Sequence, residues 1–128
     1  MLNTTRLSFE STEVAGRRLL TEPLIWSPHA GSTITVPAGF YTDFASTPRL
    51  IWFVWPPTGD YELAAVIHDY LYYTGETTQK QADQTFRNVM IWLNKQDGYD
   101  ISWFTRWALY RGVRAGGWVA WNNYREAA

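Results

Sequence analysis

Residues 61–95 read YELAAVIHDYLYYTGETTQKQADQTFRNVMIWLNK and predict two consecutive helices. The second helix is the clearer one, because its apolar side chains recur at helical spacing between polar residues. These apolar positions are Ala82, Phe86, Val89, Met90 and Leu93. Gly75 is placed to end the first helix, and the second should run from about Thr78 to Lys95. We expect the two helices to pair antiparallel.

Strand character lies before this helix pair. The β-rich runs 17–26 and 33–37 are separated by the turn-forming residues 27–32, which predicts a small antiparallel sheet. Residues 41–48 are expected to form an ordered loop. Asp60 is placed to cap the first helix. The predicted class is therefore α+β, with a small N-terminal antiparallel β-sheet followed by three main α-helices.

The third helical segment covers residues 101–124 and should be interrupted around Gly116-Gly117. A chain of 128 residues is the usual size for one domain, so we expect a single domain, 1–128. Within it, residues 1–48 should be mainly strands and loops, and residues 60–128 mainly helical.

Charge and cysteine content exclude several classes of function. A formal net charge of -1 gives no global field for polyanions, so we expect no specific nucleic-acid binding. The absence of cysteine excludes disulfides and thiolate metal sites, as suits a reducing cytoplasm. Residues 1–18 lack the pattern of a secretory signal, and no apolar stretch is long enough to predict a transmembrane segment.

The residues that could carry chemistry lie on the predicted helix pair. His68 and Tyr72 are four residues apart and therefore share a face of the first helix. Asp83 lies at the margin of the apolar stripe of the second, where a carboxylate is costly to bury alone. A hydrogen bond from His68 to Asp83 would offset that cost and orient the ring as in a general base. The same pair would also serve as a purely structural link between helices, and both interpretations stay open.

Asp69 adds a second acidic side chain beside His68. Two carboxylates close to one histidine form a negative pocket that favours a bound cation, and hard cations prefer oxygen ligands. Zinc is the poorer candidate, because it takes three or four ligands rich in His or Cys, and the chain has two histidines and no cysteine.

The run AAVIHDYLY, residues 64–72, resembles the active-site helix of the secreted and parvoviral phospholipases of the A2 class. The resemblance implies that His68 is the general base, that Asp69 is a calcium ligand, and that Tyr72 and Asp83 support the histidine. It also implies calcium-dependent hydrolysis of lipid esters, with Ca²⁺ as the cofactor. Apolar residues occupy the half-cystine positions of that signature, namely Ala64, Ala65, Leu71, Ala82 and Val89. The glycine-rich calcium loop of those enzymes is missing, and Asp43 is our candidate for a further metal ligand.

A second resemblance covers nearly the whole chain. Four motifs follow one another along the chain, namely VPAGFYTDFASTPR, a Pro-rich turn with Tyr61, AAVIHDYLY and QADQTF. Their order resembles that in an uncharacterised family of small phage and prophage proteins with a domain of unknown function. This resemblance implies a tailed bacteriophage or prophage context, with other phage proteins or a lipid-like substrate as partners. The expected location is the host cytoplasm or the phage virion, and the alternative function is a non-catalytic part in virion or tail assembly.

The last part of the chain is aromatic and basic. Residues 101–128 hold half of the tryptophans, at Trp103, Trp107, Trp118 and Trp121. Trp103, Trp107, Tyr110 and Arg114 follow helical spacing. Such a stripe either seals the core or forms an interaction surface, since Trp, Tyr and Arg are enriched at interface centres and membrane surfaces. The candidate interface residues are Trp103, Trp107, Tyr110, Trp118 and Trp121.

Overall fold

The computed structural model describes residues 1–4, 9–11, 18–29, 32–42 and 60–127. Its contacts divide the chain into two compact units, Met1–Asp43 and Phe44–Ala128. The first unit carries the strands and the second the described helices, which confirms the predicted α+β class. That the whole chain is one domain stays a prediction.

The first unit contains two small antiparallel sheets where the sequence predicted one. Strands β1 (Phe9–Ser11), β2 (Arg18–Leu20) and β5 (Tyr41–Thr42) pair in the order β1-β2-β5. Strands β3 (Leu24–His29) and β4 (Ser32–Val36) form the second sheet, and Leu24 lies opposite Val36.

Two details of the predicted strand region were wrong. The expected turn over residues 27–32 begins too early, because β3 continues to His29. Tyr41 and Thr42 are not loop, because they pair with Leu19 and Arg18 in the first sheet. Backbone pairing decides both positions, with His29 paired to Ser32 and Tyr41 paired to Leu19, and local turn propensity does not reveal it.

The second unit contains four described helices, α1 (Glu62–Thr74), α2 (Gln79–Leu93), α3 (Trp103–Gly116) and α4 (Trp118–Ala127). The helix pair is confirmed as α1 and α2, and the third predicted segment is two helices that meet at Gly117. Gly75 ends α1 in the left-handed conformation, at φ +66°, and its N–H donates to the carbonyl of Leu71. No helix in the described part of the chain is long and apolar enough to cross a membrane.

The starts of α1 and α2 differ. Thr78 accepts a hydrogen bond from the Gln81 N–H while the Gln81 side chain accepts one from the Thr78 N–H, a capping box that fixes the first turn of α2. The prediction that Asp60 caps α1 was wrong. The residue at that position is Tyr61, and the Asp60 carboxylate accepts from the distant N–H of Asp100.

Helices α1 and α2 bury most of the core residues of the second unit. Helix α1 is buried along most of its length, which places His68 and Asp69 among its buried residues. Helix α2 buries its predicted apolar stripe together with Asp83. Packing of the two helices therefore brings polar groups of both into the interior.

Candidate active site

His68 and Tyr72 occupy one face of α1, one turn apart. Both are completely buried, and their ring centroids are 4.3 Å apart. Phe86 of α2 also lies against the imidazole, at 4.9 Å between centroids. The imidazole thus contacts aromatic rings from two helices, which restricts its orientation.

Asp83 of α2 is the acceptor at which this cluster converges. One carboxylate oxygen, Oδ1, accepts from His68 Nε2 at 2.7 Å and from the Tyr72 hydroxyl at 2.7 Å. The hydrogen bond predicted between His68 and Asp83 is therefore present. Gln79, at the start of α2, donates to the Tyr72 hydroxyl oxygen at 3.3 Å, so that this hydroxyl both accepts and donates.

Arg114 of α3 completes the cluster and was not among the predicted site residues. Its Nη1 donates to Asp83 Oδ2 at 2.6 Å, and the Arg114 side chain is 35% exposed while Asp83 is fully buried. Arg114 donates to Oδ2 and Tyr72 donates to Oδ1, so each oxygen already accepts a hydrogen bond, as in an ionised carboxylate. A buried carboxylate needs a positively charged partner. The spacing of residues along the sequence does not show that this partner is Arg114.

The tautomer of His68 follows from this arrangement. An ionised carboxylate only accepts hydrogen bonds, so Nε2 of His68 carries the hydrogen that it donates to Asp83. In the neutral ring the other nitrogen, Nδ1, then has the basic lone pair. The contact with Asp83 thus gives the two ring nitrogens of His68 different roles.

Helix α4 packs over the end of α1. The ring of Trp121 meets Tyr72 edge-on at 5.2 Å between centroids. Arg125 donates to the backbone carbonyls of Tyr72 and Tyr73, which lie in the last turn of α1. Gly117, between α3 and α4, faces the Tyr72 hydroxyl so closely that a Cβ there would clash with it. The interruption predicted at this glycine therefore has a packing cause.

Asp69 is buried at 2% exposure on α1, and the Tyr124 hydroxyl of α4 donates to its Oδ1 at 3.4 Å. The other candidate metal ligand, Asp43, lies outside the described residues. Within the described ranges no group of three His, Asp or Glu side chains is arranged to hold a metal ion. The carboxylate of Asp69 has the chemistry that calcium prefers, but calcium takes six to eight oxygens, so the described residues supply only part of such a site.

The tryptophans of α3 do not seal the core. Trp103 is 66% exposed and Trp107 is 46% exposed, whereas the buried residues of α3 are Leu109 and Val113. The core-sealing interpretation of the stripe is therefore wrong. Among the other candidate interface residues, Tyr110 is partly buried, Trp118 is exposed and Trp121 packs on Tyr72.

Fold and site together define an α+β protein whose paired helices share a buried histidine–aspartate link. The chain belongs to a protein family of unknown function, DUF1353, whose model matches residues 19–113. This match confirms the expected membership of an uncharacterised family. It includes His68, Tyr72 and Asp83 and ends one residue before Arg114. No protein of curated function and no solved structure matches the chain.

The buried hydroxyl of Tyr72 should make the stability of the folded protein depend on pH in the alkaline range. Burial raises its pKa above the ordinary tyrosine value, and the hydrogen bond to Asp83 raises it further. The unfolded chain releases this proton near pH 10, whereas the folded protein retains it. Stability from Tyr72 is therefore complete below pH 10 and is lost as pH rises above it.

Replacing Tyr72 by Phe should lower the free energy of unfolding by about 2 kcal/mol at pH 7, the usual value of a lost hydrogen bond to a charged group. Above pH 10.5 the variant should lose stability less steeply than the wild type, by roughly 1 kcal/mol per pH unit. Urea unfolding at several pH values measures both quantities. Tyr61, whose pKa is raised to about 12 by burial and by the charge of Asp60, contributes equally to both proteins. Equal slopes for the two proteins would contradict the prediction, and Tyr73→Phe, at an exposed neighbour, is the matched control.

Proposed function

We propose that this protein hydrolyses carboxylic esters, with a phospholipase A2-like site in which His68 is the general base. The observation that carries the proposal is the contact of His68 Nε2 with Asp83 Oδ1 at 2.7 Å, with the Tyr72 hydroxyl on the same oxygen. This contact leaves Nδ1 as the basic nitrogen. The local sequence resemblance around AAVIHDYLY supports the same assignment independently.

In the proposed reaction, Nδ1 of His68 takes a proton from water while the water oxygen forms a bond to the ester carbonyl carbon. The resulting imidazolium is stabilised by the carboxylate of Asp83, which keeps its hydrogen bond to Nε2 throughout. The tetrahedral intermediate then breaks its bond to the leaving oxygen, and this oxygen receives the proton from Nδ1. Tyr72 and Arg114 position Asp83, since each donates to one of its oxygens.

The variant His68→Gln separates base catalysis from structure. A glutamine amide can place a donor near the position of Nε2 and keep the link to Asp83, but it has no basic nitrogen. We expect release of fatty acid from phospholipid or short-chain esters to fall by 10²- to 10⁴-fold, with the free energy of unfolding changed by about 1 kcal/mol. The matched control is His29→Gln, at the other histidine of the chain. An active enzyme that keeps its rate after His68→Gln would refute the base assignment.

We propose Asp69 as a carboxylate ligand of Ca²⁺, with Asp43 as the second candidate. The support is chemical, namely a buried carboxylate next to His68 and a family resemblance that assigns calcium to this position. Such an ion would supply positive charge to a developing oxyanion.

Calcium should then stabilise the folded protein. At a hundredfold excess over its dissociation constant, the free energy of unfolding should rise by about 2.7 kcal/mol, and this gain should disappear in Asp69→Asn. Thermal denaturation in calcium, in magnesium and in chelator measures the effect without any substrate. Glu76→Gln is the control for general charge effects, because Glu76 is an exposed acidic residue beyond the end of α1. Stability that is equal in calcium and in chelator would refute the metal site.

A second candidate function is non-catalytic, as a component of phage virion or tail assembly. The observation that favours it is the complete burial of His68 and Asp83, which is what a structural link between helices requires. Under this proposal His68→Gln changes only stability, and no ester is hydrolysed by the wild type.

Both candidates place the protein in a bacteriophage or prophage, a proposal supported by the order of the four sequence motifs. As an assembly component, it should be found by mass spectrometry in purified virions at a fixed ratio to the major tail proteins. As an enzyme released into the host cytoplasm, it should be found in the lysate and be depleted from virions. Detection in neither fraction of a phage that encodes it would contradict the phage assignment.

A further inference from the structure

A cleft of about 440 Å³ lies between α2 and α3, and its lining residues include none of His68, Tyr72, Asp83 and Arg114. We call it the basic cleft, and it is lined by Arg87, Arg106, Arg111, Trp103, Trp107 and Tyr110. None of its three arginines forms an ion pair within the described residues. Its positive charge is local, since the whole chain has a formal net charge of -1. The cleft is therefore complementary to an anionic partner.

Helices α3 and α4 add almost no negative charge beside the cleft. Between Asp100 and Glu126 the chain contains arginines and no acidic residue. Two of the guanidinium groups lie over aromatic rings, Arg87 over Tyr110 at 4.8 Å and Arg111 over Trp107 at 5.9 Å. Cation–π contacts hold these groups in place without neutralising them.

Large apolar side chains are exposed at the start of α3, next to the cleft. Trp103, Phe104 and Trp107 lie within two helical turns, and Phe104 is 56% exposed. Exposed aromatic bulk beside uncompensated arginines is the pattern of a surface that enters a phospholipid headgroup layer. Indole rings suit the interface, and arginines pair with lipid phosphates.

A single-stranded nucleic acid would also offer phosphates, but it needs free aromatic faces for base stacking. Here the rings of Trp103 and Trp107 are stacked on each other at 6.3 Å, and an arginine already lies over Trp107 and another over Tyr110. Phe104 adds apolar bulk without any polar group. These contacts favour a lipid surface over a nucleic acid.

We propose that the start of α3 and the basic cleft dock this protein on a surface of anionic phospholipid. Trp103, Phe104 and Trp107 enter the headgroup region, and Arg106 and Arg111 pair with phosphates. The inference goes beyond ester hydrolysis, because docking requires neither His68 nor turnover. It therefore holds or fails separately from the proposed reaction.

The experiment is sedimentation with vesicles of phosphatidylcholine alone or with 30% phosphatidylglycerol, in chelator, using the wild-type protein and His68→Gln. We expect both proteins to bind the anionic vesicles and to bind less as salt is raised. The double variant Arg106→Gln/Arg111→Gln should bind about 30-fold more weakly. The control Lys80→Gln/Lys95→Gln makes the same change in charge at exposed residues that do not line the cleft, and it should bind like the wild type.

A second variant tests the aromatic contribution. Trp103→Ser/Phe104→Ser should bind the anionic vesicles more weakly and keep its helical circular dichroism, because both side chains are exposed. Equal loss of binding in the cleft and control variants would overturn the proposal, as would no binding to anionic vesicles. Binding to a single-stranded oligonucleotide without binding to vesicles would overturn it in favour of a nucleic-acid surface.

Discussion

The ionised carboxylate of Asp83, fully buried between helices, is the constraint on which the rest of the helical unit depends. Removing a carboxylate from water costs several kcal/mol, and this cost is offset only where donors satisfy both oxygens. His68 and Tyr72 supply donors from α1, and Arg114 supplies one from α3. One side chain thereby fixes the relative positions of three helices. If α2 packed against only one of the other two helices, one oxygen of Asp83 would lack its donor.

A structural link and a general base both require that this cluster keep a fixed geometry. A structural link requires that the imidazole, the phenol and the guanidinium keep their places, and a general base requires the same of the imidazole. The two proposed functions therefore share every contact of Asp83 and differ in the use of Nδ1 of His68. A substitution of His68 that retains a donor near the position of Nε2 and removes the base at Nδ1 therefore distinguishes the two functions.

The helix pair was predictable because its information is local. Apolar spacing defined α2, Gly75 defined the end of α1, and the cost of burying Asp83 led directly to His68. Arg114 was not predictable, because it lies 31 residues from Asp83 and competes with other arginines of the same segment. The spacing of residues along the sequence does not show which of these arginines contacts Asp83.

The same limit explains the errors at Asp60 and in the tryptophan stripe. Asp60 has the side chain of a helix cap, but a backbone N–H 40 residues away binds it. Helical spacing correctly groups Trp103 and Trp107 on one face of α3, yet it does not say whether that face is inward. Leu109 and Val113 take the inward positions, and the larger aromatic rings remain in solvent.

Helix α3 connects the buried site with the exposed surface. Trp103, Trp107, Tyr110 and Arg114 lie three or four residues apart and so share one face of the helix. The first members of this row are exposed beside the basic cleft, and the last reaches Asp83 with its guanidinium group. A partner that binds the exposed end would therefore contact the same helix that positions the carboxylate of Asp83. The surface and the buried cluster are in this sense two ends of one structural element.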